Sequence, residues 1–166
     1  PGTCIGPYDL GALAAGGALE VPVFRRPRVS IIPSGSEIVP LVDAREEDLR
    51  AGRVLPEFNS LIFSAMITEA GGEAATLPVV PDDPEAIRAA IASAIATADM
   101  VILNAGSSAG SHDFTAHVLG QMGTVVTHGI SVMPGKPTVL AVVNGKPVVG
   151  VPGYPVSAGI SMEEFV

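Results

Sequence analysis

Residues 82–113 carry the sequence DDPEAIRAAIASAIATADMVILNAGSSAGSHD, in which a helix, a strand and a glycine–serine loop follow one another. Asp83 and Pro84 predict the first helical turn, because aspartate caps free amides there and proline lacks an amide that would stay unbonded. The residues expected on the buried face of this helix are three isoleucines spaced four apart: Ile87, Ile91 and Ile95. The uninterrupted apolar run at residues 100–103 then predicts a buried strand.

Further strands are expected before and after this stretch. The apolar, β-branched composition typical of strands occurs at residues 19–24, 29–32, 75–80, 125–126, 139–143 and 147–151. Asn144-Gly145 separates the last two segments and is a strong signal for a two-residue hairpin turn. Nearly continuous apolar strands that alternate with helices indicate a mostly parallel sheet covered on both faces. The predicted fold class is therefore α/β with three layers, a sheet between two layers of helices.

Other helices are expected around these strands. One begins at Asn59, a capping residue, and its expected buried face contains residues spaced by four: Ile62, Met66 and Ala70. A second begins at Phe114 and ends at Gly123, with His117 expected to pack on its apolar face. A short first helix is expected at residues 8–15, and the cluster RRPR at residues 25–28 indicates a boundary.

The composition limits the classes of function. The 166 residues are 48% hydrophobic, enough for a core, and their net charge is −8. An acidic chain with 4% aromatic residues lacks a basic stripe and stacking platforms, which excludes general nucleic-acid binding. The longest stretch without charged residues, 114–135, is interrupted by three glycines, so no membrane span is expected. The single cysteine, Cys4, fits a reducing compartment, and we expect a cytoplasmic protein.

The loop NAGSSAGSHD at residues 104–113 connects a strand to a helix. Bare backbone amides and a helix N-terminus favour a bound phosphate, and serine hydroxyls add donors. The loop matches neither a dinucleotide-binding nor a Walker motif, and the alternative is a tight turn that binds nothing. Asp113 either caps the helix or orients a substrate or a metal-bound water, and both roles stay open.

Two loops are expected at the same edge of the sheet, because ligands of parallel sheets bind at the carboxyl ends of strands. Ser34 follows the first strand, with Glu37 close behind it. Residues 152–158 form a rigid proline–glycine turn, which serves either a ligand or chain reversal alone.

One lysine stands out in this acidic chain. In Met133-Pro134-Gly135-Lys136-Pro137 the two prolines stiffen the backbone around Lys136, which makes it a candidate anion ligand. Lys146, beside the hairpin turn, is expected to be a solvated turn charge.

Five segments match one known family in order and spacing. They are Pro33-Ser34-Gly35-Ser36-Glu37, Asn59, Gly106-Ser107-Ser108-Ala109-Gly110-Ser111-His112-Asp113, Pro134-Gly135-Lys136-Pro137 and Pro152-Gly153-Tyr154-Pro155-Val156-Ser157-Ala158. The sequence resembles the molybdopterin-binding domain of the molybdopterin molybdenumtransferases, MoeA and the gephyrin E domain. Its fold is shared with the molybdopterin adenylyltransferases of the MogA type. The resemblance covers residues 26–166, and residues 1–25 are expected to be the end of a preceding linker domain in a larger chain.

The resemblance implies insertion of molybdenum from molybdate into adenylated molybdopterin, with release of AMP and with Mg²⁺ as cofactor. It implies that the substrate-binding residues are Ser34, Gly35, Asn59, Gly106, Ser107, Ser108, Gly110, Ser111, Pro152 and Gly153. The implied molybdate-binding residues are Lys136, Pro137 and Ser157. Asp113 and Glu37 are the implied catalytic residues, and Asp113 is also the implied metal ligand. The intact protein is expected to be a homodimer whose site is completed by other domains and a second subunit, so this piece alone is expected to be inactive.

Four positions differ from the family's pattern. Ser36 replaces an aspartate, Ala105 a glycine, Met133 a lysine and Tyr154 an asparagine. Ser36 therefore lacks the family's carboxylate, and Met133 lacks its positive charge. One alternative is a degenerate domain that binds the pterin or molybdate for regulation. A molybdopterin adenylyltransferase is the other, although those enzymes usually stand alone and this chain begins with an additional segment.

Overall fold

The computed structural model describes residues 2–104 and 111–166, with the backbone alone for residues 111–113. The strands are β1 (Arg28–Pro33), β2 (Ile38–Pro40), β3 (Leu55–Glu57), β4 (Glu73–Thr76), β5 (Met100–Asn104), β6 (Thr124–His128), β7 (Val139–Val143) and β8 (Lys146–Val151). Six of them form one sheet in the order β4-β1-β5-β8-β7-β6, and β2 pairs with β3 in a small separate sheet.

The first four strands of the large sheet are parallel, whereas β7 and β6 continue it as antiparallel neighbours. The hairpin predicted at Asn144-Gly145 joins β7 to β8, and both residues have the positive φ angles, 51° and 76°, that such a tight turn requires. Asn104 pairs with Val151, and Val139 pairs with Gly150. The start of β7 therefore lies at the same edge as the ends of β5 and β8.

Helices cover both faces of the large sheet. The helices that cover it are α3 (Asn59–Glu69), α4 (Pro84–Thr97), α5 (Ser111–Met122) and α6 (Pro155–Phe165). The chain also has α1 (Pro7–Ala15), α2 (Glu46–Arg50) and a 3₁₀ turn at Leu41–Asp43, none of which contains a buried residue. Val101 and Leu103 pack with α4 and α5, whereas Ile102 packs with α3 and α6. Alternate residues of a buried strand thus supply two cores, and the predicted three-layer α/β architecture is confirmed.

Helix α4 begins at the predicted residue, and the face that carries its isoleucines is buried as predicted. The Asp83 carboxylate accepts a hydrogen bond from the amide of Ala86 at 2.8 Å, and Pro84 is the first helical residue. The three predicted isoleucines are at most 5% exposed: Ile87, Ile91 and Ile95.

Helix α3 buries a different face from the expected one. Phe63 and Ile67 are 0% and 3% exposed, whereas Ile62 is 40% exposed. The two faces are one residue apart in sequence, and the larger Phe63 side chain fills the space under β1 and β5. Asn59 is also the first helical residue rather than the cap, which is Phe58.

Two strand predictions need correction. Residues 19–24 form no strand, because they pair with no neighbour among the described residues, and Leu19 and Phe24 are about nine-tenths exposed. Strand β4 covers Glu73–Thr76 rather than residues 75–80, since Pro78 has no amide with which to continue the ladder. Val80 returns to the sheet only as an isolated bridge with Ser34.

Two side chains lie elsewhere than expected. His117 is exposed and contacts Gln121 at 2.9 Å, so it is not packed in the core. Lys146 is half-buried, and its ammonium donates to the carbonyl of Ile95 at 2.7 Å. It therefore binds the negative end of α4 instead of being a solvated turn charge.

Candidate functional site at the carboxyl edge of the sheet

The ends of β1, β5 and β8 converge with the beginning of α3. The Ser34 amide donates to the carbonyl oxygen of Asn104 at 2.8 Å, which joins the first two strand ends. The Asn59 side-chain amide donates to the carbonyl of Gly153 at 2.8 Å, and it contacts Asn104 Oδ1 at 3.4 Å. Ser34, Asn59 and Gly153, which the family resemblance assigned to one site, are thus brought together.

A cavity of about 240 Å³ opens at this junction. Asn59 lines it and is only 5% exposed, yet its Oδ1 atom has no hydrogen-bond partner among the described residues. A buried polar atom without a partner costs free energy unless a ligand or water satisfies it. The open position is therefore suited to a hydrogen-bond donor.

Two carboxylates also line the cavity. Glu57 is half-buried, and its Oε1 atom accepts the amide of Ser60 at 3.0 Å in the first turn of α3. Glu37, a predicted catalytic residue, is exposed on the opposite chain segment. Glu37 and Glu57 are the charged residues of a lining that is otherwise mainly apolar, and no lysine or arginine is among the described residues that line it.

The predicted anion residues lie on two adjacent segments of the same edge. Lys136 is exposed in the loop before β7, and Ser157 is half-buried in the first turn of α6. Gly135 is buried against α6: a Cβ placed on it would lie 3.6 Å from the Ser157 carbonyl oxygen. The loop that carries Lys136 and Pro137 is therefore in contact with the helix that carries Ser157.

Comparison with known proteins identifies the family to which this chain belongs. The family described as "Probable molybdopterin binding domain" matches residues 30–166. This chain belongs to that family.

Relatives of this molybdopterin-binding domain agree with the resemblance seen in the sequence. The molybdopterin molybdenumtransferase of Nostoc is 32% identical over 95% of this chain and 36% of its own length. Molybdopterin molybdenumtransferase 2 of Mycobacterium tuberculosis is 32% identical over 99% of this chain and 41% of its own length. The chain thus spans about two fifths of the curated relatives that it matches.

Solved structures agree with the fold. The molybdopterin biosynthesis protein MoeA of Pyrococcus horikoshii superposes with a TM-score of 0.78 and 37% identity, covering 92% of this chain and 37% of that one. The molybdopterin biosynthesis enzyme MoaB of Thermus thermophilus has a TM-score of 0.58 at 18% identity, covering 82% of this chain and 87% of that one. The second similarity shows the shared fold.

Part of the predicted site lies outside the described residues. This applies to Gly106, Ser107, Ser108 and Gly110, and to the side chains of Ser111 and Asp113. Strand β5 ends at Asn104, immediately before this loop, and α5 begins at Ser111. Its predicted phosphate and Mg²⁺ contacts therefore remain predictions.

The sequence prediction missed three polar residues at this edge. Asn104 is 4% exposed at the end of β5, and a polar residue closing an apolar strand was the available signal. For Glu57, the only signal in the sequence was its position two residues before the start of α3. Asp82 accepts the Ser36 amide at 3.3 Å and its own amide donates to Ser36 Oγ at 3.3 Å, a contact between remote loops with no local signal.

In the described part of the chain, no group of three histidine, cysteine or acidic residues could hold a metal ion. Over the same residues, no helix has both the length and the apolar character to cross a membrane.

Proposed function

We propose that this chain is the molybdopterin-binding part of a molybdopterin molybdenumtransferase. The intact protein would insert molybdenum from molybdate into adenylated molybdopterin and release AMP, as part of molybdenum cofactor biosynthesis. The observation that carries the proposal is the match of residues 30–166 to the molybdopterin-binding family, together with the cavity at Asn59, whose buried Oδ1 atom has no partner among the described residues. The names of the relatives, which are molybdopterin molybdenumtransferases, support the same reaction.

The cavity fits the pterin end of such a substrate. The pyrimidinone ring of a pterin carries an amino group and a ring N–H side by side, and both are donors. The carboxylates of Glu37 and Glu57 supply acceptors in the lining, and the buried, unpartnered Oδ1 atom of Asn59 would accept a donor that reaches it. A bound pterin would therefore satisfy the buried oxygen that the protein leaves without a partner.

The remaining roles follow the family resemblance. We assign the glycine–serine loop with Gly106, Ser107, Ser108, Gly110 and Ser111 to the substrate's phosphate, because small residues before a helix N-terminus favour anions. Ser34, Gly35, Pro152 and Gly153 complete the pterin side of the site. Lys136, Pro137 and Ser157 would hold molybdate, for which Lys136 supplies the positive charge.

The proposed Mg²⁺ follows from the family resemblance. Magnesium is usually bound by one or two carboxylates together with substrate phosphate oxygens, and it needs no cluster of protein ligands. Asp113 would be that ligand, beside the phosphate loop, and Glu37 would act on the substrate. When bound, the ion would supply charge neutralisation of the phosphates.

The assembly is proposed on the same grounds. Residues 26–166 would be the binding domain and residues 1–25 the end of a linker domain, in a cytoplasmic homodimer whose other domains complete the site. None of the residues of α1 is buried. This fits a segment that belongs with another part of the parent protein, and it is why we expect this piece alone to be inactive.

A binding module without turnover is the second candidate. Met133, which is 86% exposed, stands where the family has a lysine, and Ser36 stands where it has an aspartate. Both changes remove charge from the edge that would handle molybdate and phosphate. This candidate would still bind the pterin through Asn59.

The parent protein distinguishes these functions. It would be incubated with adenylated molybdopterin and Mg²⁺, with and without molybdate, while AMP release and retained pterin are measured. Molybdate-stimulated AMP release supports the transferase. Retained pterin without release supports the binding module, and formation of adenylated molybdopterin from ATP and molybdopterin would indicate the adenylyltransferase instead.

A further inference from the structure

Two buried hydroxyls join the loop before β7 to helix α6. Thr138 and Ser161 are both 0% exposed, and their oxygens are 2.6 Å apart. Thr138 Oγ1 also lies 2.7 Å from the Gly135 carbonyl, and Ser161 Oγ lies 2.9 Å from the Ser157 carbonyl. These contacts run from the residue next to Lys136 to the backbone of Ser157.

The proton count requires the bond between the two hydroxyls. Each hydroxyl carries one proton, so two protons serve three contacts. If both hydroxyls donated to carbonyls, two oxygens 2.6 Å apart would face each other without a proton between them. Either Ser161 donates to Thr138, which donates to Gly135, or Thr138 donates to Ser161, which donates to Ser157. In both arrangements the loop and the helix are joined.

We propose that Thr138 and Ser161 are positioning residues that fix Lys136 relative to Ser157 and thereby set the affinity of this edge for a tetrahedral oxyanion. The inference rests on the proposed function, in which that oxyanion is molybdate. The pair is fully buried, whereas Lys136 is exposed, so the pair acts on the ligand through the loop. Gly135 supports this role, because it is buried and a Cβ there would be in ordinary van der Waals contact with Ser161 Oγ, at 3.5 Å, so the loop lies directly against α6.

The test is the molybdate dependence of AMP release by the parent protein carrying Thr138→Val. We expect the apparent KM for molybdate to rise about fivefold to tenfold, the effect of one hydrogen bond. The kcat at saturating molybdate should stay within about twofold, because the pair does not touch the reacting atoms. Thr138→Ser keeps the hydroxyl and should restore the wild-type KM. Thr68→Val, which removes an exposed hydroxyl bonded to Ser64 on α3, is the matched control and should change neither constant.

Ser161→Ala provides a second route if Thr138→Val does not fold. It removes the same bond while Thr138 can still donate to Gly135, so the KM should rise in the same direction. An unchanged KM in both folded variants, or a KM that Thr138→Ser does not restore, overturns the inference. If the wild-type protein releases no AMP, the proposed function fails. The pair is then judged by hydrogen exchange of the Ile130 amide, which donates to the Lys136 carbonyl at 2.9 Å and should exchange about tenfold faster in Ser161→Ala and at an unchanged rate in Thr68→Val.

Discussion

The side-chain amide of Asn59 donates to the carbonyl oxygen of Gly153 across a 94-residue separation, at 2.8 Å. This bond fixes the first turn of α3 to the turn that follows β8, and it points the Asn59 Oδ1 atom at no described partner. The same side chain therefore contributes to the fold with one atom and offers an open acceptor with the other. Removal of this side chain should therefore affect both folding and binding.

Asn59→Ala should weaken both stability and binding. Loss of the bond to Gly153 is expected to lower the free energy of unfolding by about 1 kcal/mol, and loss of the open acceptor should weaken molybdopterin binding about tenfold. Denaturant unfolding and pterin fluorescence measure the two effects. Glu69→Gln, at the far end of α3, is the control and should change neither. Unchanged pterin affinity in Asn59→Ala would remove the cavity from the site.

Gly123 should not tolerate a side chain. A Cβ at this position would lie 2.2 Å from the carbonyl oxygen of Val142, a backbone atom that cannot turn away. We expect Gly123→Ala to destabilise the protein by at least about 2 kcal/mol. Gly120→Ala, one turn earlier in α5, has 3.9 Å to its nearest neighbour and should be neutral or stabilising by about 0.5 kcal/mol. Thermal or denaturant unfolding of both variants measures these stabilities. A Gly123→Ala protein that is more stable than the Gly120→Ala protein would contradict this account.

The two C-terminal lysines should separate stability from function. Lys146→Met removes the bond to the Ile95 carbonyl at the end of α4 and should cost about 0.5–1 kcal/mol of unfolding free energy. Lys136→Met should leave the unfolding free energy within about 0.3 kcal/mol of wild type, because its side chain is exposed. Denaturant titrations of both variants test this contrast. Equal losses in the two would show that Lys136 is structural.

The pair between Arg25 and Asp99 should make stability depend on pH. Its hydrogen bonds lower the pKa of the Asp99 carboxyl well below its usual range, with further help from the Arg28 amide at 2.8 Å. A carboxyl whose pKa is lower in the folded state stabilises fully above its unfolded pKa of about 3.9, and this contribution is lost as the pH falls towards the folded value. The unfolding free energies of wild type and Arg25→Gln should therefore differ at pH 7 and converge as the pH falls below about 4. Arg26→Gln, whose arginine forms no ion pair in the described part of the chain, should show no such convergence.

The strongest local patterns predicted the fold. The capped helix with Ile87, Ile91 and Ile95, the apolar β5 and the hairpin at Asn144-Gly145 are all present. The helix and the hairpin each combine a start or turn signal with a burial pattern, and β5 is apolar throughout because both of its faces are covered. Two predictions that lacked information about neighbouring elements failed. The apolar composition of residues 19–24 could not supply a neighbouring strand, and the spacing in α3 could not choose between Phe63 and Ile62.

The part of the candidate site that lies at the ends of strands and helices could be located from the sequence. Ser34, Asn59 and Gly153 were each placed at a strand or helix end, and parallel strands bring those ends to one edge. Contacts between remote loops had no such signal. The pairs Ser36–Asp82 and Thr138–Ser161 depend on the packed structure, which a pattern along the chain does not encode.

The central claim is tested most directly by molybdate-dependent AMP release in the parent protein. Wild type, Lys136→Met and Lys146→Met would be compared with adenylated molybdopterin and Mg²⁺ over a range of molybdate concentrations. The account predicts that molybdate stimulates wild type and Lys146→Met alike, and that Lys136→Met needs at least about tenfold more molybdate for the same rate. Equal molybdate dependence in all three proteins, or release that molybdate does not stimulate in wild type, would contradict it.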